Sequence, residues 1–426
     1  MESIINPVYT ENIKKFPPIF LSNQEIQKLD SNLETFHFKE TFALYTQFME
    51  MSDENAKKDF LNNTTELKSK VKNRGDFSVF SNGKSVISQS FSIAILAQAF
   101  VLTNDNSYLE TVKSLVEAFN HPVAKGGFRK TYSDLPFYID NSKKSKMVLL
   151  NHLYALSSLY YAGKITGDEN ANLYFGDGVE TLKISLKDFD IDFTSLYSLE
   201  LSENNQYAFA SAMGEDPDFN HELVIKQLIQ LYLETDELVF KEYAHLFLKQ
   251  DMGSFSFLST DSKFSSVWAS HSVDSRSLGV SYLDDELWSW GKYWSTNQFP
   301  TDLIIEFSDE KKDFEALTFV SIKDNTSPKE FEIYVKQNGE WVFKYNSSNI
   351  KRIDKNYYFT GNYESYINTY YFPEKFNGNS IKIKLLNRSS SNLIALREIN
   401  IFYDRNEELN QLIEKIEAES GELFLN

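Results

Sequence analysis

The stretch SVISQSFSIAILAQAFVLTNDNSYLE, residues 85–110, contains the pattern that decides the fold of the first part of the chain. Apolar residues recur at three- and four-residue spacing from Val86 to Phe100, which predicts a helix. Thr103 and Asp105 follow this helix. Small polar side chains of this kind cap helices, because their oxygens accept hydrogen bonds from the free N–H groups of the first turn. A second helix is therefore predicted to start directly after the turn.

The same helix–turn–helix signal occurs three more times along the chain. The other instances are MSDENAKKDF (Ser52, Asp53), TGDENANLYF (Thr166, Asp168) and ETDELVFKEY (Thr235, Asp236). A repeated helical pair predicts either an open solenoid or a closed α/α toroid. The long intervening segments 119–145 and 188–219 favour the toroid, because such loops gather at one mouth and build a site there. An irregular helical bundle is the alternative.

The second part of the chain has the pattern of strands. Asn338-Gly339 lies between two apolar runs and predicts a tight hairpin, because both residues accept the positive φ angles of a type I′ turn. A β-sandwich is therefore predicted for 256–404, after an all-α toroid over 1–255. Residues 405–426 form a final segment with an amphipathic helix that we expect to dock on the body. The strand-like runs are 301–307, 316–322, 331–345, 380–386 and 396–403.

Composition excludes several functional classes. The 426 residues include no cysteine, which excludes a disulfide scaffold, a thiolate zinc site and a cysteine nucleophile. The formal charge of −18 argues against nucleic acid as a partner. No transmembrane segment and no signal-peptide core are evident, so a cytoplasmic location is expected. The sequence leaves open whether the chain forms a homo-oligomer.

Several motifs in the helical part occur in a specific order: the helix at 85–102, GGF at 126–128, LPFYIDNSKKSKMVLLNHLY at 135–154, SLYSLEL at 195–201 and FNHEL at 219–223. In this order and spacing they resemble the C-terminal catalytic domain of D-glucuronyl C5-epimerases, over about residues 40–250. The resemblance implies an α/α toroid, in agreement with the repeated helical pairs. It also implies a uronic-acid-containing glycan as the partner.

The resemblance implies site residues position by position. Asp140 falls on the catalytic glutamate of the family, Tyr197 on a catalytic tyrosine and His221 on its histidine. Asn141 and Asn220 stand where the family has tyrosines. Residues expected to contact substrate in the helical part are Gln89, Arg129, Lys130, Asn151 and Asn220.

Epimerisation at C5 removes a proton next to a carboxylate and returns one to the opposite face, so it needs a base and an acid. Asp140 is assigned as the base and Tyr197 as the acid, with Tyr138 or His221 as a substitute. Basic residues around this loop suit a uronate carboxylate. They are Arg129, Lys130, Lys143, Lys144 and Lys146. Each assignment has a structural alternative: Asp140 as a turn residue, Tyr197 as a buried ring and His221 as a first-turn histidine.

The β-rich part has a resemblance of its own. SSVWASHSVDSRSLGVSYLDDELWSWGKYWSTNQFPTDLIIEF (265–307), SIKIKLL (380–386) and ALREINIFY (395–403) resemble the discoidin, or coagulation factor 5/8 type C, domain. Carbohydrate-binding modules of that fold are most similar. The resemblance implies a structural Ca²⁺ held by Asp284 or Asp285 and Glu398. It also implies sugar contacts at Trp288 and Trp290, whereas Trp294 is assigned to the core.

Three functions follow from these expectations. The favoured one is a glycan-modifying enzyme, a uronic acid C5-epimerase that needs no cofactor for catalysis. The second is a catalytically degenerate glycan-binding protein. The third is a toroid polysaccharide lyase or glycoside hydrolase. A hydrolase needs two converging carboxylates, such as Asp140 with Asp190 or Asp192.

Overall fold

The computed structural model describes residues 38–141, 146–190, 195, 198–199, 217–250, 266–269, 293–307, 312–359, 363–386 and 393–420. The chain divides into two compact units. The first, here the helical unit, holds the described residues up to Asp188, Lys226–Tyr243 and those from Gln411 onward. The second, the β-rich unit, holds Phe189–Ile225 and Ala244–Asn410. The predicted domain limits stay predictions, because residues 251–265 lie outside the described residues.

The four predicted turns each separate two helices. A ninth described helix is α9, Asn406–Ser420, in which Leu409, Leu412 and Ile416 are buried as predicted for a docked amphipathic helix. The eight paired helices are α1 (Phe38–Met51), α2 (Glu54–Ser69), α3 (Val86–Thr103), α4 (Asn106–Glu117), α5 (Leu149–Thr166), α6 (Glu169–Phe189), α7 (Pro217–Thr235) and α8 (Leu238–Gln250). Closure of these pairs into a toroid stays a prediction.

Local capping explains why the pairs break where they do. Ser85 accepts from the N–H of Ser88 at the start of α3, and Asn104 ends that helix in a left-handed conformation with φ 54°. Asp105 then accepts from the N–H of Ser107 at 2.8 Å and starts α4. Asp53 caps α2 in the same way. Left-handed residues occupy the equivalent position in all four turns: Ser52, Asn104, Gly167 and Asp236.

The fourth turn differs from the prediction by one residue. Asp236 is itself the left-handed residue, so it does not take the capping position that Asp53 and Asp105 take. The N–H of Glu237 instead donates to the hydroxyl of Thr235 at 3.3 Å. The turn was therefore predicted correctly, but the role of its aspartate was not.

Helices α3 and α5 pack against each other and form the centre of the helical unit. Both are buried on nearly every side, including polar residues such as Gln89, Asn151 and His152. Among the described residues, α3 is the one helix long and apolar enough to cross a membrane, yet 72% of it is buried inside the protein. Burial on all sides is typical of a core helix.

The β-rich unit contains two five-stranded sheets, as predicted for a β-sandwich. Their strand orders are β13-β14-β10-β16-β8 and β12-β11-β15-β9-β7. Trp294 is fully buried in the core between them, together with residues such as Phe331 and Ile383. The strands are β7 (Ser266–Ala269), β8 (Trp294–Thr296), β9 (Thr301–Glu306), β10 (Lys312–Ser321), β11 (Phe331–Gln337), β12 (Glu340–Asn346), β13 (Lys351–Phe359), β14 (Tyr363–Gly378), β15 (Ser380–Leu385) and β16 (Ile394–Tyr403).

The hairpin prediction is confirmed. Asn338 and Gly339 have φ angles of 53° and 86° between β11 and β12, as a type I′ turn requires. The described residues also include six short strands outside the sandwich: β1 (Val71–Asn73), β2 (Ser78–Phe80), β3 (Arg129–Tyr132), β4 (Leu135–Tyr138), β5 (Met147–Val148) and β6 (Ser198–Leu199). The hairpin of β3 and β4 leads directly to Asp140.

Candidate active site

Asp140 lies at the N-terminus of helix α3, although 54 residues separate it from that helix in sequence. Its Oδ1 accepts a hydrogen bond from the N–H of Val86 at 2.8 Å. The N–H of the next residue, Asn141, donates to the carbonyl of Lys84 at 2.8 Å. These two bonds fix the loop against the helix start. The free N–H groups and the positive dipole end of a helix favour a carboxylate there.

The second contact of Asp140 comes from helix α5. The side chain of Asn151, the third residue of that helix and 5% exposed, hydrogen-bonds to the Asp140 carboxyl. Burial raises the pKa of Asp140, and the hydrogen bonds from Val86 and Asn151 offset this only in part. A raised pKa makes a carboxylate a stronger base, which favours its use as a proton acceptor. Asp140 and Asn151 were both predicted, and the structure brings them together.

His152 supports the same loop from inside the core. Its Nδ1 accepts from the N–H of Tyr138 at 3.0 Å, and its Nε2 lies 3.0 Å from the carbonyl of Gly178, to which it donates. Complete burial lowers the pKa of His152 to about 4, so the ring is neutral. The ring also stacks on Phe137 with 4.2 Å between centroids. His152 therefore positions β4, the strand that ends two residues before Asp140.

Tyr138, considered above as a substitute acid, is almost completely buried. Its hydroxyl donates to the carbonyl of Tyr174 in helix α6 at 2.7 Å. Burial, with the charge of Asp177 in addition, raises the pKa of Tyr138 well above its usual range. In this structure the hydroxyl of Tyr138 is therefore engaged in a hydrogen bond to a backbone carbonyl. The catalytic role of Tyr138 stays a prediction.

Gln89, predicted to bind substrate, is fully buried and bonded to backbone on three sides. Its Oε1 accepts from the N–H of Phe80 at 2.8 Å. Its Nε2 donates to the carbonyls of Leu115 and Ser78 at 2.8 and 3.2 Å. These bonds join α3 to β2 and to the end of α4, so this side chain has a structural function here.

Arg129 and Lys130 lie on β3, opposite Tyr138 and Phe137 on β4. Both are partly exposed, and Nη1 of Arg129 donates to Oδ1 of Asn120 at 3.1 Å. Positive charge is thus present on the hairpin that presents Asp140. Lys143 and Lys144 of the predicted basic group lie outside the described residues, and Lys146 is partly buried.

His221 belongs to the β-rich unit, at the start of α7, and is 4% exposed. Its Nδ1 accepts from the backbone N–H of Ser195 at 3.2 Å and lies 2.7 Å from the hydroxyl of that residue. Its Nε2 donates to the carbonyl of Phe247 at 2.9 Å. Both ring nitrogens are therefore engaged within that unit. Asp190, considered for a hydrolase, accepts from Nε2 of Gln250 at 2.7 Å.

The remaining predicted residues are not tested by the structure. Tyr197, Asp192, Asp284, Asp285, Trp288 and Trp290 lie outside the described residues. The side chains of Asn220 and Glu398 are also not described, although their backbones lie in α7 and β16. Among the described residues there is no group of three or more acidic or histidine side chains that could hold a metal ion. The Ca²⁺ site stays a prediction.

Sequence reasoning missed two parts of this site. It read Val86 only as part of the apolar pattern of a helix, although the start of a helix is also a binding site for a carboxylate. It assigned no role to His152. A histidine inside an otherwise apolar helix is itself a signal of a buried hydrogen-bonded ring.

Comparison with known proteins supports the predicted resemblance of the helical part. Residues 43–249 match the family model described as the D-glucuronyl C5-epimerase C-terminus. This range contains Asp140, Asn151, His152 and His221. The resemblance predicted for about residues 40–250 is thereby confirmed. A search of curated proteins gives no match.

Solved structures similar to this chain include three family 32 carbohydrate-binding modules. The module of Clostridium perfringens NanJ, in complex with galactose, is 14% identical, with 32% of this chain and 92% of that chain covered and a TM-score of 0.24. The module of AlyQ, in complex with 4,5-unsaturated mannuronic acid, is 18% identical, with 33% and 95% covered and a TM-score of 0.24. The module of Streptococcus pneumoniae EndoD is 9% identical, with 33% and 97% covered and a TM-score of 0.24.

Proposed function

We propose that this protein is a glycan-modifying enzyme that epimerises a uronic acid residue at C5. The family match over residues 43–249 supports a carbohydrate-modifying protein. The observation that carries the proposal is the setting of Asp140 within that range. Its carboxyl is partly buried, has a raised pKa, and is oriented by the Val86 N–H and the Asn151 side chain.

In the proposed reaction, Asp140 accepts the proton from C5 of the uronate. Ionised Asp140 is the form that burial disfavours, so proton transfer to it removes an unfavourable charge from the site. Val86 and Asn151 hold the carboxyl in one orientation during this step. Asp140 is therefore the proposed base, and the acid is a different group.

A second group returns a proton to the opposite face of C5. Tyr197 is the proposed acid, on the strength of the family resemblance alone. Arg129 and Lys130 are proposed to pair with the uronate carboxylate, since positive charge stabilises the developing enolate-like anion. All these groups are side chains of the chain itself.

The proposal is tested by incubating the full chain with uronic-acid oligosaccharides in D₂O. Deuterium at C5 without cleavage supports epimerisation, and Asp140→Asn is expected to lower the incorporation by about 10²–10⁴-fold. Asp59→Asn, an exposed aspartate on α2, is the matched control and should leave the incorporation unchanged.

Other outcomes of the same experiment identify the competing functions. An unsaturated product indicates a lyase, and a new reducing end without unsaturation indicates a hydrolase. Binding without deuterium incorporation or cleavage indicates a degenerate glycan-binding protein. The asparagines at 141 and 220, which stand where the family has tyrosines, are the observation that supports this last function.

A further inference from the structure

A polar cleft of about 600 Å³ lies at one end of the β-sandwich. The β11–β12 turn, the end of β9 and the connection from β14 to β15 form its walls. Amide, carboxylate, ammonium and hydroxyl groups line it, which is the mixture of donors and acceptors that recognises a hydroxylated ligand. The lining residues used below are Glu306, Lys336, Asn338, Asn377, Asn379 and Ser380.

Hydrogen bonds and close packing hold the walls of this cleft in place. The N–H of Phe307 donates to the carbonyl of Asn379 at 2.9 Å. The side chain of Asn377 donates to Oδ1 of Asp313 at 3.0 Å. Gly378 lies so close to Val335 that an added Cβ would be 2.1 Å from its side chain, so only glycine fits there. The cleft is thus formed by fixed elements of the sandwich.

Two lysines stand beside the cleft on the outward face of the β12-β11-β15 sheet. Lys382 Nζ lies 5.1 Å from the ring centroid of Trp341 and 4.6 Å from that of Tyr334. Lys336, which also lines the cleft, lies 5.9 Å from the Trp341 centroid. Neither lysine forms an ion pair with any residue that the structure describes. Aromatic rings position an ammonium group without cancelling its charge.

The next lysine along β15 provides the contrast. Lys384 lies 3.8 Å from Glu332, whose other contact is the hydroxyl of Tyr334 at 2.5 Å. The charge of Lys384 is therefore matched within the sheet. On the same face, Lys336 and Lys382 keep their positive charge available, although the chain as a whole carries −18. Two ammonium groups, against the one carboxylate of Glu306 in the cleft lining, indicate an anionic ligand.

We propose that the cleft and the adjoining Trp341 bind an acidic saccharide. Lys336 and Lys382 pair with its carboxylate, and the partly exposed ring of Trp341 contacts the apolar face of the sugar. Asn338, Asn377 and Glu306 exchange hydrogen bonds with its hydroxyls. The site takes its ligand class from the proposed function but is a separate site from Asp140, so each can fail without the other.

The test is isothermal titration of the full chain carrying Asp140→Asn, with a tetrasaccharide of alternating glucuronic acid and N-acetylglucosamine as the probe. The Lys336→Ala/Lys382→Ala pair is expected to weaken Kd tenfold or more, and Trp341→Ala by a similar factor. Lys384→Ala is the matched control on the same strand and should change Kd less than twofold. Neutral cellotetraose should not bind, and raising NaCl from 50 to 500 mM should weaken binding of the acidic probe.

Three results overturn the proposal. The first is that the acidic probe fails to bind. The second is that the Lys336→Ala/Lys382→Ala variant binds the probe with an unchanged Kd. The third is that cellotetraose binds as well as the acidic probe. Circular dichroism of each variant checks that the sandwich is folded, and Lys336→Gln/Lys382→Gln removes the charge with less loss of packing. Deuterium incorporation by the chain with native Asp140 is measured in parallel, so failure of the proposed epimerisation is seen independently.

Discussion

Asp140 in the helical unit and Glu315 in the β-rich unit are both partly buried carboxyls, yet their pKa values move in opposite directions. The contacts of Asp140 are the neutral Val86 N–H and Asn151 side chain, and burial raises its pKa. Burial also acts to raise the pKa of Glu315, but hydrogen bonds and charges from Lys249 and Lys375 outweigh it and lower the pKa. The neighbouring groups, not burial alone, decide the direction.

The difference in pKa direction distinguishes a carboxyl suited to proton transfer, Asp140, from one that forms a structural ion network, Glu315. Glu315 lies 2.7 Å from Lys249 and 2.5 Å from Lys375, and Lys375 also reaches Asp404 at 3.2 Å. Such a network holds its carboxylates ionised. The ionised state of Asp140 is less favourable, and the carboxylate becomes neutral when it accepts a proton from the substrate. Five predictions compare the helical unit and the β-rich unit, from the largest expected effect to the smallest.

The largest expected effect concerns catalysis. Asp140→Asn should lower C5 deuterium incorporation by about 10²–10⁴-fold, the usual contribution of a general base. Glu315→Gln should leave the incorporation unchanged, because it removes a charge that is matched within the β-rich unit. Equal loss in both variants would contradict the distinction between the two carboxyls. Incorporation is measured by mass spectrometry of the sugar.

Trp294 tests the apolar core of the sandwich. Trp294→Ala should destabilise the β-rich unit by about 3–5 kcal/mol, because it removes a large and fully buried ring. Denaturant unfolding followed by circular dichroism provides the measurement. Phe343→Ala, at a ring that is 49% exposed, is the control and should change stability by about 0.5 kcal/mol or less. A small effect at Trp294 would show that the ring is not a core residue.

Gln89 tests whether buried polar groups hold the helical unit together. Gln89→Leu should cost about 2–4 kcal/mol, since it leaves the Phe80 N–H and the Leu115 and Ser78 carbonyls without their partner. Thermal unfolding of the variant measures this. Gln47→Leu, at an exposed side chain bonded to Asp53, should have little effect. If Gln89→Leu unfolds normally but loses substrate affinity, the predicted binding role is supported instead.

Glu315 tests the ion network. Glu315→Gln should cost about 1–2 kcal/mol at pH 7, since two charge-assisted hydrogen bonds are weakened. The pKa of Glu315 is lower in the folded state than its usual value of 4.5. Its contribution is therefore present above pH 4.5 and lost as the pH falls through the folded-state pKa. A cost that persists undiminished at pH 2 would argue against this network.

The smallest expected effect is a gain in the free energy of unfolding, whereas the three preceding variants lose stability. The pKa of Asp140 is higher in the folded state than its usual value of 3.8. Ionisation therefore opposes folding as the pH rises above 3.8 and through the folded-state pKa, and the penalty is absent below 3.8. Asp140→Asn should be slightly more stable than the native chain at pH 7, with a difference that vanishes below pH 3. Melting curves across this range measure it, and a less stable variant at pH 7 would contradict the prediction.

Much of the fold follows from local patterns. Ser85 and Asp105 are capping residues, and Asn338-Gly339 forms the expected turn. Strands β13 and β14 were not predicted, because their polar and tyrosine-rich sequences lack a clear apolar alternation. Distant partners make those strands possible: Thr369 is 2.9 Å from Thr318, and Asn368 donates to Asp354 at 2.8 Å.

The sequence by itself determined the helical pairs and the sandwich, because capping and hydrophobic periodicity act over a few residues. The family resemblance, not these local patterns, identified Asp140 and Asn151 as candidate residues. Only the tertiary structure decided what these residues contact. Val86 is 54 positions from Asp140, and Trp341 and Lys382 lie on different strands. Desolvation and pairing depend on such distant neighbours, so the raised pKa of Asp140 and the unmatched charge of Lys382 follow from the fold.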